Sequence, residues 1–165
     1  MPAYLITWNP VIWPWEEYNA LAEAVREGRD LDDRWSTGRT LRVQPGDRLW
    51  LMRLGKQPKG IIGAAAATSA AFRAEHWADP TKVTCYVDLR WEILLKFSGS
   101  EGQADRGSAR RSGVDPAVEP ILGLAELQDQ FPGVRWTPQG SGMSIPEAVE
   151  PRLELLWAER VSRML

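Results

Sequence analysis

Arg48-Leu49-Trp50-Leu51-Met52-Arg53-Leu54, followed by Gly55-Lys56-Gln57-Pro58 and then Lys59-Gly60-Ile61-Ile62-Gly63-Ala64-Ala65-Ala66-Ala67-Thr68, is the stretch on which the fold turns. A turn signal, Gln44-Pro45-Gly46-Asp47, leads into it. Arg48 to Leu54 reads as a strand with two bulky faces, Leu49 and Leu51 against Trp50, Met52 and Leu54. A strand of that kind is central and covered on both sides. Gly55 to Pro58 makes a hairpin loop, and Lys59 to Thr68 returns. Alanine runs by themselves favour helix. After a hairpin and Ile61-Ile62-Gly63, Ala64 to Ala67 instead marks a strand against which something large packs closely.

Outward from the hairpin, Tyr4 to Trp8 is a β-rich run ended by Asn9-Pro10. Pro14 to Gly28 reads as a helix: Pro14, Glu16 and Glu17 suit its start and Gly28 its stop, with Tyr18, Leu21, Ala22 and Val25 as the buried stripe. Asp30 to Thr40 reads as a polar loop carrying Trp35. Lys82 to Leu95 is the longest strand, with Val83, Cys85, Val87, Leu89, Trp91 and Ile93 alternating against polar neighbours. Residues 98–120, rich in Gly, Ser, Asp and Arg, read as a mobile loop. Gly123 to Gln130 is a short helix, 135–146 is irregular, and a last helix runs from about Pro146 to Arg163 with Val149, Leu153, Leu156, Trp157 and Val161 on its apolar face. The expected fold is α+β: one domain over 1–165, a small, strongly curved mixed β-sheet or partly closed barrel with peripheral helices.

Composition narrows the function. The chain has 165 residues, 44% hydrophobic and 25% charged, the balance of one soluble globular domain. No apolar run approaches the ~20 residues of a membrane span, and Met1 to Leu5 shows no secretory signal, so a cytoplasmic protein without membrane contact is expected. One cysteine, Cys85, and one histidine, His76, exclude a disulfide framework and leave no metal-ligand spacing; no metal or cofactor is expected. No Walker loop, G-x-G-x-x-G or G-x-S-x-G elbow occurs.

Charge and tryptophan are the unusual features. Glu16 to Asp33 carries −5 and Arg34 to Gly60 carries +6, although the whole chain is only −2. A basic face on a mildly acidic body can follow a phosphate backbone without indiscriminate sticking. Of nine tryptophans, Trp15, Trp50, Trp91 and Trp157 read as core. Trp8, Trp13, Trp35, Trp77 and Trp136 fall at strand ends or in polar loops, where core packing explains them less well. Several such rings beside a basic segment make a slot for a planar ligand, and a nucleobase is the common one.

At these loops the chain resembles EVE domains of the PUA-like superfamily, which also holds the YTH readers of methylated adenine. It is most similar to the EVE-like modules found beside HNH nucleases in modification-dependent restriction enzymes. The resemblance rests on Thr7-Trp8-Asn9-Pro10, Trp13-Pro14-Trp15, Trp35-Ser36-Thr37-Gly38-Arg39-Thr40, Pro45 to Ile61, His76-Trp77, Tyr86-Val87-Asp88 and Trp136 to Gly142, in that order along nearly the whole chain. It implies a curved barrel whose surface pocket holds a base flipped out of modified double-stranded DNA, 5-methylcytosine or a related cytosine. By that similarity Trp35 and Trp77 face each other as cage walls. Ser36, Thr37 and Asn9 meet the base, Gln139, Ser141 and Gly142 form the rim, and Trp8 and Trp13 support the cage. Arg34, Arg39, Arg53, Lys56 and Lys59 are the expected phosphate contacts. Ala64 to Ala67 departs from the larger residues of relatives, and no HNH pattern is present, so any cleavage falls to a separately encoded nuclease. Two alternatives stay open: a PUA-like hydrolase of a modified nucleoside, using Thr37, Lys59 and Glu92, and a reader of modified RNA.

Overall fold

The computed structural model describes residues 2–97 and 121–163; the loop expected over 98–120 lies outside the described residues. Eight strands and three helices occur among them. They are β1 (Ala3–Trp8), α1 (Tyr18–Arg26), β2 (Asp32–Gly38), β3 (Arg48–Arg53), β4 (Gly60–Ala67), β5 (Phe72–Glu75), β6 (Val83–Leu94), β7 (Leu122–Gly123), α2 (Leu124–Gln130), β8 (Met143–Ser144) and α3 (Glu150–Ser162).

They form one sheet in the order β2-β6-β4-β3-β1-β8, with β5 added to β6 and β7 to β4. The β1–β3 pairing is parallel and the others are antiparallel, so the sheet is mixed. Register shifts leave one extra residue on one strand of three pairings: Thr37 of β2 against β6, Ile62 of β4 against β3, and Glu92 of β6 against β4. Each bends its strand. The curl brings β2, one end of the order, back to β1: the Trp35 indole Nε1 donates to the Thr7 carbonyl at 3.0 Å. The result is the expected α+β fold, a strongly curled half-barrel with helices outside it.

Period-2 alternation divides the interior into two cores. Tyr4, Ile6, Trp8, Leu49 and Leu51 point into one, which α1 closes with Tyr18, Ala22 and Val25. Ala3, Leu5, Trp50 and Met52 point into the other, against Leu127 of α2 and Leu153 and Trp157 of α3. This is why β3 is bulky on both faces. The alanine run is strand, as expected: Ala64 sits opposite Trp50 and Ala65 opposite Trp91, so the small residues make room for indoles on both neighbours.

Three expectations need correction. Asp32 to Gly38 is an edge strand and not a loop; only Trp35 and Thr37 are buried along it, too few apolar positions to display a period. Trp136 is core, 1% exposed against Phe131, because the chain around it is irregular but still folded inward. The first helix begins at Tyr18, and Trp13 to Glu17 forms the approach to it.

Candidate functional site

The seam where β2 curls back on β1 is stitched by backbone. Gly38 (φ +66°) and Gly142 (φ +96°) adopt left-handed conformations, and a Cβ on either would strike the backbone of the other segment, Ser141 from Gly38 and Thr37 from Gly142. Only glycine permits this approach of the 138–142 loop to the end of β2. The Ser141 Oγ accepts the Thr7 N–H at 3.1 Å and the Gly142 N–H donates to Leu5 O at 2.9 Å, so the loop is fixed to β1 as well.

Above the seam opens a cavity of about 680 Å³, within the range of small-ligand sites. The end of β1 supplies Thr7, Trp8 and Asn9; the following turn supplies Ile12 and Trp13. Arg34, Trp35, Ser36 and Gly38 come from β2, Leu54 from the end of β3, and Thr84 and Tyr86 from β6. His76 and Trp77 come from the β5–β6 loop, and Pro138 to Ser141 from the loop before β8.

The indoles are held unequally. Trp8 is 2% exposed and its Nε1 donates to Trp13 O at 2.8 Å, which ties the floor to the turn above it. Trp35 is 7% exposed, ringed by Trp13, Trp15 and Trp91 at 5.4, 5.1 and 5.9 Å between centroids. It therefore offers little open ring. Trp13 and Trp77 are the exposed pair, at 38% and 56%. Trp13 stacks on Trp15 at 5.3 Å, and Trp77 on His76 at 5.5 Å. Each exposed indole is thus backed by a second ring, which limits its rotation.

The polar groups at the cavity have acceptors engaged and donors left over. The Asn9 Oδ1 accepts the Val11 N–H at 2.9 Å, the Ser36 Oγ accepts the Gly38 N–H at 3.1 Å, and the Ser141 Oγ is taken by Thr7. Among the described residues nothing accepts from the Asn9 amide N–H₂ or from either serine O–H, so these groups can donate to a ligand. Gln139 is exposed on the rim, with no hydrogen bond to the described residues.

Sequence expectations therefore meet unevenly. Trp8, Asn9, Trp13, Trp35, Ser36, Trp77, Gln139 and Ser141 converge on one cavity, although they span most of the chain. Thr37 and Gly142 do not: Thr37 is fully buried with its hydroxyl donating to Thr40 O at 3.0 Å, and Gly142 is buried as backbone against Thr37. Ile12, Thr84, Tyr86 and Pro138 also line the cavity, beyond the expected base contacts; Tyr86 and Pro138 fall within the stretches that carry the resemblance. Thr84 and Tyr86 sat in the polar half of the β6 alternation, a signal that was present but ordinary.

The expected basic face also divides. Arg53 is fully buried, its guanidinium over the Phe97 and Trp8 rings at 4.8 and 5.6 Å and donating to Pro58 O, so it cannot meet phosphate. Arg48 turns to the far side of the sheet, paired with Glu92 of β6 and Glu154 of α3. Arg34 lines the cavity but is held by Asp88 at 3.0 Å and lies over Phe72. Arg39, Lys56 and Lys59 carry no ion pair to the described residues. The hydrolase alternative loses its catalytic set here. Thr37 is sealed in, Glu92 is paired to Arg48 at another surface, and Lys59 lies on the β3–β4 loop.

No protein-family model and no curated protein matches the chain. Solved structures do. A hypothetical protein from Leishmania major is similar at a TM-score of 0.57 and 11% identity, with 96% of each chain covered. Protein PSPTO5229 from Pseudomonas syringae is similar at 0.51 and 15% identity, over 94% of this chain and 98% of that one. Human THYN1, solved in complex with 5-methylcytosine-containing DNA, superimposes more loosely, at 0.42 and 11% identity over 80% and 76%. The two fuller matches share the architecture from end to end, the α+β fold with its curled mixed sheet.

Proposed function

We propose that this protein is a non-catalytic reader of modified DNA, an EVE-like module that accepts a base flipped from the duplex. The observation that carries the reading is the cavity over the β1–β2 seam. It gathers the two exposed indoles, Trp13 and Trp77, above a floor of Trp8 and Trp35, with donors at its edge.

Flipping a base costs a few kcal/mol of unstacking and unpairing. Stacking on an aromatic ring returns about 1–3 kcal/mol. One ring roughly balances the cost, so a second wall or edge hydrogen bonds must supply the surplus. Trp13 and Trp77 supply rings; Asn9, Ser36, Ser141 and Gln139 supply edge contacts. Surplus donors suit a base edge rich in acceptors, and cytosine presents O2 and N3 there, so a modified cytosine fits the edge chemistry. A single methyl adds only ~0.8 kcal/mol by burial, about fourfold, and tight shape fit raises discrimination to about tenfold to a hundredfold. Arg39, Lys56 and Lys59 would contact phosphates.

A panel of duplexes identical except for one base, unmodified cytosine, 5-methylcytosine or another modified base, tests the reading by fluorescence titration. Tighter binding to one modified duplex is expected; equal affinity across the panel would end it. The same pocket chemistry suits RNA, so a matched RNA carrying the modification is the competitor that separates the two polymers.

A further inference from the structure

The turn joining β1 to α1 is unusual for a solvent-facing segment. No charged residue occurs from Met1 to Trp15, in a chain that is 25% charged overall. Val11 and Ile12 at its tip are 68% and 67% exposed, among the most exposed apolar side chains described. The tip is not loose. Asn9 holds it from below: the backbone N–H groups of Ile12 and Trp13 both donate to Asn9 O at 3.0 Å, and that of Val11 to its side-chain oxygen. The Asn9 side chain packs against Gly55, so the turn stands against the β3–β4 loop, the loop that also carries Lys56 and Lys59 in sequence. Ile12 also lines the cavity mouth.

A rigid apolar point between an aromatic pocket and a lysine-bearing loop matches one partner chemistry. When a base leaves a duplex, the bases above and below it lose a stacking neighbour, and the gap is apolar and flanked by phosphates. Apolar side chains are known to enter such steps. We propose that Val11 and Ile12 form a wedge that fills the gap left by the extruded base in double-stranded DNA, with Lys56 and Lys59 on the adjoining phosphates. This rests on the reader function proposed above and goes beyond it, because it makes the protein an active opener of paired DNA and not only a receptor for an exposed base.

The wedge acts only where a stack must be opened. Val11→Ser is therefore expected to weaken binding to a fully paired modified duplex by about tenfold, on the scale of the lost apolar burial, and to leave binding to a single strand carrying the same base at the parent level. Ile12→Ser is expected to give a larger loss on the duplex than on the single strand. Both are surface substitutions, and thermal melts would verify folding. A 2-aminopurine placed beside the modified base reports unstacking by its fluorescence rise, which Val11→Ser should reduce. If the parent binds and both variants lose affinity equally on the paired and single-stranded forms, or lose none, the wedge is wrong and the reader function stands. If the parent binds neither form, the reader function fails and the wedge with it.

Discussion

At the residue scale, exposure separates the aromatic side chains into walls and foundations. Trp77 carries its own ring surface outside the core, so Trp77→Ala should leave the melting temperature nearly unchanged and weaken binding of a modified duplex by about 5- to 150-fold, the range of one lost stack. Titration beside a melt checks both halves; a large stability loss with unchanged affinity would reverse the assignment. Trp35 is the opposite case. It is locked by its bond to Thr7 O and by three neighbouring indoles, so Trp35→Ala should cost roughly 3–5 kcal/mol of stability by denaturant unfolding. Arg53 shows the same lesson for charge. Its guanidinium is packed between Trp8 and Phe97, and Arg53→Ala should destabilise the fold by about 2–5 kcal/mol without altering the salt dependence of binding. A flatter salt dependence in that variant would restore it as a phosphate contact.

At the scale of elements, the β5–β6 loop that carries His76 and Trp77 is braced by its own turn. Asp79 accepts the Thr81 hydroxyl at 2.5 Å and the Thr81 N–H at 3.1 Å, and the His76 N–H donates to Lys82 O at 2.9 Å. The Thr81 hydroxyl, and secondarily its N–H, hold the Asp79 carboxyl below its ordinary value. A depressed carboxyl stabilises the folded turn at pH above the unfolded value of about 3.9 and loses that contribution as pH falls through the folded value. The Thr81 amide resonance should therefore titrate with a midpoint below about 3.9. A midpoint at or above it would mean that the bonds do not form in solution. The seam between β2 and the 138–142 loop is the other decisive element. Gly142→Ala would place a methyl on the Thr37 backbone at φ +96°, and strain of that kind costs about 1–3 kcal/mol. Lower stability together with weaker ligand binding is expected, because the same seam floors the cavity.

At the scale of the whole molecule, the net charge of −2 and the internal pairing of arginines predict restrained electrostatics. With Arg39, Lys56 and Lys59 as phosphate contacts, log K should fall with log salt at a slope near −2.7, about −0.9 per phosphate. A slope twice as steep would reveal a second basic surface. The Arg48 link between Glu92 on β6 and Glu154 on α3 serves the molecule in another way, by joining the last helix to the sheet on the face opposite the cavity.

What the sequence by itself determined was most of the local structure, β2 and the start of the first helix excepted. The hairpin, the long β6 alternation, the helical stripes and the small-residue strand each follow from side-chain period and turn chemistry over a few neighbouring residues, and so does the expectation of a curved mixed sheet. The cluster of ring-bearing loops was visible as well, because tryptophan outside an apolar period stands out. Tertiary structure decided which rings remain open, which cations remain unpaired, and where β2 closes on β1. Those depend on contacts between segments far apart in the chain: Trp35 with Thr7, Arg53 with Phe97, Gly142 with Thr37. Burial is a property of the packed whole, and no window of sequence contains the residues that impose it.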